Sequence, residues 1–281
     1  MPTIHLPQWD MENFETLETR RTPNYDFTRV RLPDIVPMAG FDEPITLDIF
    51  KVSDAAPTVL LHPILGGNNE VANAFAWFFT RFPKWNAVIQ HRARRPYEYD
   101  TIEDVETGIL NIICNSVQAC DWLQHHGYLV PERSISIGTS LGAITNALLT
   151  PFIPVSGFVH VMGGGHLSHI LTNSQETGVV KWRKETLKKL GINTIELLSR
   201  LDRAIQSDPI TIAGHDDGKN IRMIISMFDK SVPTMDQLAL RDAYQTRPQT
   251  TQLPTGHLTM ALFLPYLFYT SWRFGKQVMK L

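Results

Sequence analysis

The stretch SISIGTSLGAITNALLT, residues 134–150, passes from a short apolar strand pattern straight into a helical one and holds Ser140 between Gly138 and Gly142. A chain that turns from strand to helix within two residues forces the central residue into a strained backbone, and side chains on either flank would collide. Glycine at both flanks relieves that crowding. The Ser140 hydroxyl is thereby lifted clear of the strand. Beside it the N–H of Leu141 opens the helix, where the dipole favours negative charge. A hydroxyl and an amide aimed at one point suit acyl transfer.

Around this corner, from about residue 45 onward, short apolar runs alternate with longer helical stretches. That alternation predicts an α/β fold with a mostly parallel central sheet and helices on both faces. Strands are expected at 46–52, 58–63, 86–92, 134–138, 157–163, 221–229 and 249–253, all read as parallel. Helices are expected at 69–81, 101–126, 141–149, 235–244 and 258–278, where apolar residues recur at three and four. The first 40 residues, rich in proline and charge, read as edge strands and a lead-in. Residues 166–220 are too long for a simple crossover and hold at least two helices. One is stopped by Gly191; the other carries Leu197, Leu198, Leu201 and Ile205 on one stripe. An insertion there lies over the crevice where open α/β sheets place ligands. Residues 1–281 are therefore expected to form a single domain with 166–220 as a helical cap.

A serine hydroxyl is a poor nucleophile near neutral pH. It needs a base to take its proton and a carboxylate to hold that base in the right tautomer. The run MIISMFDKSVP, residues 223–233, ends a strand pattern with Asp229, and QLPTGHLT, residues 252–259, puts His257 in a glycine-containing loop before the last helix. The chain order is Ser140, Asp229, His257. With GTSLG (138–142), FDKSVP (228–233), TGH (255–257) and the loop HPILGG (62–67), the chain from about residue 45 to its end resembles the α/β-hydrolase superfamily. The resemblance implies that Ser140 is the nucleophile, His257 the general base and Asp229 the orienting acid. It also implies an oxyanion hole made by Leu141 and by the 62–67 loop. Where many members have His-Gly, this chain has His62-Pro63, and proline has no N–H. The second donor then comes from beyond it, with Ile64 the first choice and Leu65 the second. Substrate contacts are expected from Leu65, Gly66 and His166, the last in MGGGHLSH at the entry to the cap.

Composition narrows the function further. Hydrophobic residues make up 43% and charged residues 19%, with a formal net charge of −2; nothing here attracts nucleic acid. Cys114 and Cys120 read as buried thiols. Neither His166 nor His169 has the carboxylate-and-ligand spacing of a zinc site, and no metal or cofactor is expected. Arg92, Arg94 and Arg95 read as a solvated loop and His125-His126 as a helix end. The N-terminus lacks the apolar core of a secretory signal, which favours the cytoplasm. Residues 258–272 are too short to span a bilayer, carry Pro265, and read as a buried terminal helix rather than a membrane contact. The expected activity is a serine hydrolase acting on a small-molecule ester or thioester through an acyl-enzyme on Ser140. The FAWFF run at 75–79 and the cap leucines suggest an apolar acyl group. Two alternatives stand beside it: a non-catalytic binding module on the same fold, and a lipase or acyltransferase at a lipid surface.

Overall fold

The computed structural model describes residues 9–33, 44–64, 69–91 and 101–281. Among the described residues the strands are β1 (Glu15–Arg21), β2 (Asp26–Leu32), β3 (Ile45–Lys51), β4 (Thr58–His62), β5 (Asn86–Gln90), β6 (Ser134–Thr139), β7 (Gly157–Val161), β8 (Ile221–Ser226) and β9 (Gln249–Leu253). They form one sheet in the order β1-β2-β3-β5-β4-β6-β7-β8-β9. The six strands from β5 to β9 in that order pair in parallel. The first three are antiparallel to their neighbours, β3 to β5 included. This corrects the expectation of a parallel β3: an apolar run buried on both faces reads the same in either direction.

The helices are α1 (Glu70–Arg81), α2 (Asp104–His125), α3 (Leu141–Leu148), α4 (Leu167–Asn173), α5 (Thr177–Leu190), α6 (Thr194–Ala204), α7 (Pro209–Ala213), α8 (Thr234–Ala243) and α9 (Leu264–Val278). Strand alternation divides the core between the two faces. Val59 and Leu61 of β4 pack with Phe75 and Phe79 of α1 and Phe268 of α9. Leu60 between them faces the other way, toward Ile109 and Trp122 of α2 and Ile144 of α3. Because β5 and β6 lie on opposite sides of β4, the crossovers α1 and α2 go to opposite faces. The crossovers part between β4 and β6, and it is at the C-terminal ends of strands at such a switch point that open sheets bind ligands.

Four helices, α4 to α7, fall between β7 and β8, where at least two were expected. The two additions are short, α4 having seven residues and α7 five, and one carboxylate caps both. The Asp208 carboxylate accepts from the N–H of His166 (3.0 Å) and Leu167 (2.6 Å) at the start of α4, and from Ile210 (2.8 Å) at the start of α7. Leu167, Leu171, Leu197 and Leu201 join the same core as α2 and α3, so the insertion is packed onto the sheet side that carries Ser140's helix. At the C-terminal end, Pro265 sits in the first turn of α9, where its missing N–H does no harm, and a 3-10 turn at Thr259–Phe263 precedes it. Among the described residues, no helix is long and apolar enough to cross a membrane.

Candidate active site

Strand β6 ends at Thr139 and helix α3 begins at Leu141, leaving Ser140 as the whole connection. Its backbone stands at φ 56°, ψ −120°, a conformation costing about 1–3 kcal/mol for a residue with a side chain. The surroundings over-determine it. The Ser140 N–H donates to Val161 O (2.8 Å), extending the β6–β7 ladder, while its carbonyl accepts from Ala143 (2.9 Å) and Ile144 (3.0 Å), closing the first turn of α3. Both flanking glycines are forced by contact. A Cβ on Gly138 would run into the Gly142 carbonyl, and one on Gly142 into the carbonyls of His62 and Pro63. The end of β4 is therefore pressed against the start of α3, which brings the His62–Pro63–Ile64 segment beside the Leu141 turn. The first N–H groups of a helix have no intrahelical acceptor. Leu141 thus presents a free amide direction next to the Ser140 hydroxyl.

Asp229 follows β8 by three residues, in the turn that leads to α8, and is buried. The strand expected to run to 229 stops at Ser226, which frees Asp229 to turn its carboxylate inward. Its Oδ1 accepts from the N–H of Ser231 (2.8 Å) and Val232 (3.1 Å). Its Oδ2 lies 2.8 Å from Nδ1 of His257, on the loop after β9. A carboxylate only accepts, so Nδ1 carries the proton and Nε2 is left with its lone pair. Phe228 N–H donates to Thr255 O (2.8 Å), tying the two loops together. Among the described residues, no hydrogen bond joins the Ser140 hydroxyl to the His257 ring. Both stand at the same edge of the sheet, at the ends of β6 and β9 with β7 and β8 between.

Solved structures share this arrangement of strands. An acetyl xylan esterase from Paenibacillus sp. is similar over 94% of this chain and 88% of its own, with a TM-score of 0.69 and 14% identity. An esterase from Pyrococcus furiosus is similar over 99% of both chains, with a TM-score of 0.61 and 13% identity. The chain has the α/β-hydrolase fold. Acetyl xylan esterase 1 from Thermoanaerobacterium sp. is similar over 90% of this chain and 87% of its own, at a TM-score of 0.61 and 12% identity. No protein-family model and no curated protein matches the sequence.

On this α/β-hydrolase scaffold an apolar cavity of about 70 Å³ runs from Ser140 under the inserted helices. One water takes ~10–15 Å³ on that scale, so the space admits several carbon atoms in a row. Its walls are Ile109 and Ile112 of α2, Ile144 and Leu148 of α3, and Leu167 and Leu171 of α4; Ser231 and Val232 beside Asp229 close it on one side. Helix α2 was not a sequence candidate for this wall. Its apolar stripe was visible, but not that the stripe faces Ser140. The FAWFF run lies elsewhere. Phe75 and Phe79 are buried on the opposite face of the sheet, Phe75 against Phe268 (4.8 Å between ring centroids) and Phe79 against Trp85 (5.2 Å).

His166 caps α4 in a left-handed conformation (φ 57°), is exposed, and lies outside the cavity lining. Ile64 is half-buried beside the elbow, while Leu65, Gly66 and the arginines at 92, 94 and 95 lie outside the described residues. Cys114 and Cys120 are buried free thiols, and burial pushes the Cys120 thiol up to about 12. Glu12, His125 and His126 bring possible metal-ligand atoms within 4.8 Å of one another. That group sits at the far end of α2, roughly 20 Å along the helix from the cavity.

Proposed function

We propose that the protein is a serine hydrolase that cleaves an ester or thioester bearing an apolar acyl group. The observation that carries this reading is a strained Ser140 at the mouth of an apolar cavity, on the same sheet edge as the hydrogen-bonded Asp229–His257 pair. In the proposed sequence His257 Nε2 takes the Ser140 proton as Oγ attacks the acyl carbonyl, and Asp229 stabilises the imidazolium that forms. The N–H groups of Leu141 and Ile64 receive the developing oxyanion. Collapse expels the alcohol or thiol, which takes its proton from His257. Water, activated by the same histidine, then releases the acid from Ser140. The apolar cavity holds the acyl chain. The inserted helices act as a cap that keeps the acyl chain from water. The esterase names of the structural neighbours agree with this chemistry.

A second reading, a binding module on the same fold, is favoured by the missing Ser140–His257 hydrogen bond. Such contacts are often long until substrate is bound, and a strained elbow with a fixed Asp–His pair has no use in a passive binder. The test is turnover of p-nitrophenyl esters of graded chain length by the wild type and by Ser140→Ala. Hydrolysis by the wild type, lost in the variant, supports the hydrolase. No turnover of any ester by folded wild type puts the binding module first.

A further inference from the structure

We propose that Gln237 is a positioning residue for the Asp229–His257 pair, an inference that rests on the hydrolase reading. Gln237 lies in the first turns of α8 and is completely buried. Its Nε2 donates to Asp229 Oδ2 (3.1 Å), the same oxygen that receives His257 Nδ1, and to Val232 O (2.8 Å). Its Oε1 accepts from the N–H of Ser226 (3.0 Å), at the end of β8. The orientation of the amide is settled by these partners. A backbone N–H can only donate and a carbonyl only accept, so the oxygen must face Ser226 and the NH₂ must face Val232 and Asp229.

The carboxylate thereby receives four donors, two on each oxygen: Ser231 and Val232 on Oδ1, Gln237 and His257 on Oδ2. Donors to the charged form keep a buried carboxylate ionised. A neutral amide does so without bringing a positive charge that would compete with the imidazolium for Asp229. A lysine or arginine at 237 would neutralise the acid; a hydrophobic residue would leave Oδ2 with one donor and Ser226 N–H with none. The neighbouring acid on the helix, Asp236, is turned elsewhere and pairs with His169 (2.9 Å). Gln237 also bridges the strand end and the acid turn, because Ser226, Val232 and Asp229 all meet on one side chain. Its amide sets where Asp229 points and shares the outer oxygen with His257.

Two variants separate this role from simple support of the fold. Gln237→Met removes the donor at nearly equal volume. The less-solvated carboxylate then holds the imidazolium more tightly, so the acid limb of the labelling rate with a fluorophosphonate probe moves to higher pH. The plateau falls about ten-fold, the equivalent of one hydrogen bond to a charged group. Gln237→Glu keeps a donor toward Asp229 only while its carboxyl is protonated, so its labelling profile gains an alkaline limb that the wild type lacks. Circular dichroism confirms the fold of each. A shifted acid limb in Gln237→Met, or the new alkaline limb in Gln237→Glu, supports the positioning role. Folded variants with the wild-type profile, or loss of fold in both, assign Gln237 to stability alone and overturn it. Absence of labelling in the wild type itself is a different result: it refutes the hydrolase reading.

Discussion

Replacing Gly142 by alanine tests the geometry of the elbow through a single methyl group. The added Cβ would stand 2.8 Å from Pro63 O and closer still to His62 O, whereas ordinary contact begins near 3.4 Å. Neither obstacle is a flexible side-chain end; both are backbone at the close of β4. One of the two backbones therefore has to yield by on the order of 1 Å, and the proposed oxyanion donors ride on them, Leu141 on one and Ile64 on the other. A displacement of ~1 Å near the reacting atoms costs about 10²-fold in rate, in line with removal of one oxyanion donor. Overpacking of this kind destabilises a fold by about 1–3 kcal/mol, which a large α/β domain tolerates. The assay is the rate of fluorophosphonate labelling, with thermal melting beside it. Gly214→Ala serves as the control, since a Cβ there meets its nearest atoms at an ordinary 3.6 Å. A Gly142→Ala protein labelled at the wild-type rate would refute the argument that β4 and α3 are held at contact distance for the sake of the site.

Three further outcomes follow from the structure. His160 is fully buried between Asn146 (3.3 Å) and Tyr244 (3.1 Å), and burial lowers its pKa from 6.5 to about 3. The unfolded chain then binds the extra proton first. The stabilisation is complete above pH 6.5 and is lost as pH falls toward 3, at up to ~1.4 kcal/mol per pH unit. Urea titrations of the wild type and His160→Gln between pH 7 and 4 should show a shallower pH slope in the variant; equal slopes would contradict the assignment. Filling the cavity with Ile112→Trp should reduce kcat/KM for p-nitrophenyl octanoate at least ten-fold more than for the acetate, and a uniform loss would place the acyl chain elsewhere. Asp208→Ala removes the cap of both α4 and α7 and should cost about 1–2 kcal/mol, read as a lowered Tm; an unchanged Tm would mean that apolar packing alone holds the insertion.

The sequence carried the α/β alternation because strands buried on both faces and amphipathic helices have different periods, and it carried the elbow because only glycine fits on either side of Ser140. Asp229 and His257 were legible as polar residues placed just after apolar runs, and their hydrogen bond follows from β8 and β9 lying side by side. Other features depend on distances that no periodicity encodes. The direction of β3 was hidden by its even burial. Helix α1 showed an aromatic stripe without showing which face of the sheet it covers, and Phe75 and Phe79 pack on the face away from the cavity. Gln237 gave no signal at all: one glutamine in a short helix matters only because the backbone of Ser226 and Val232 meets it there. Helix α7 has five residues, and the Asp208 carboxylate that caps it also caps α4.

Whether Ser140 is an activated nucleophile is answered by intact-protein mass spectrometry after exposure to a fluorophosphonate probe. One adduct per chain is expected on the wild type and none on Ser140→Ala. An unmodified wild-type protein that is demonstrably folded, or an adduct that persists in Ser140→Ala, would contradict the nucleophile role.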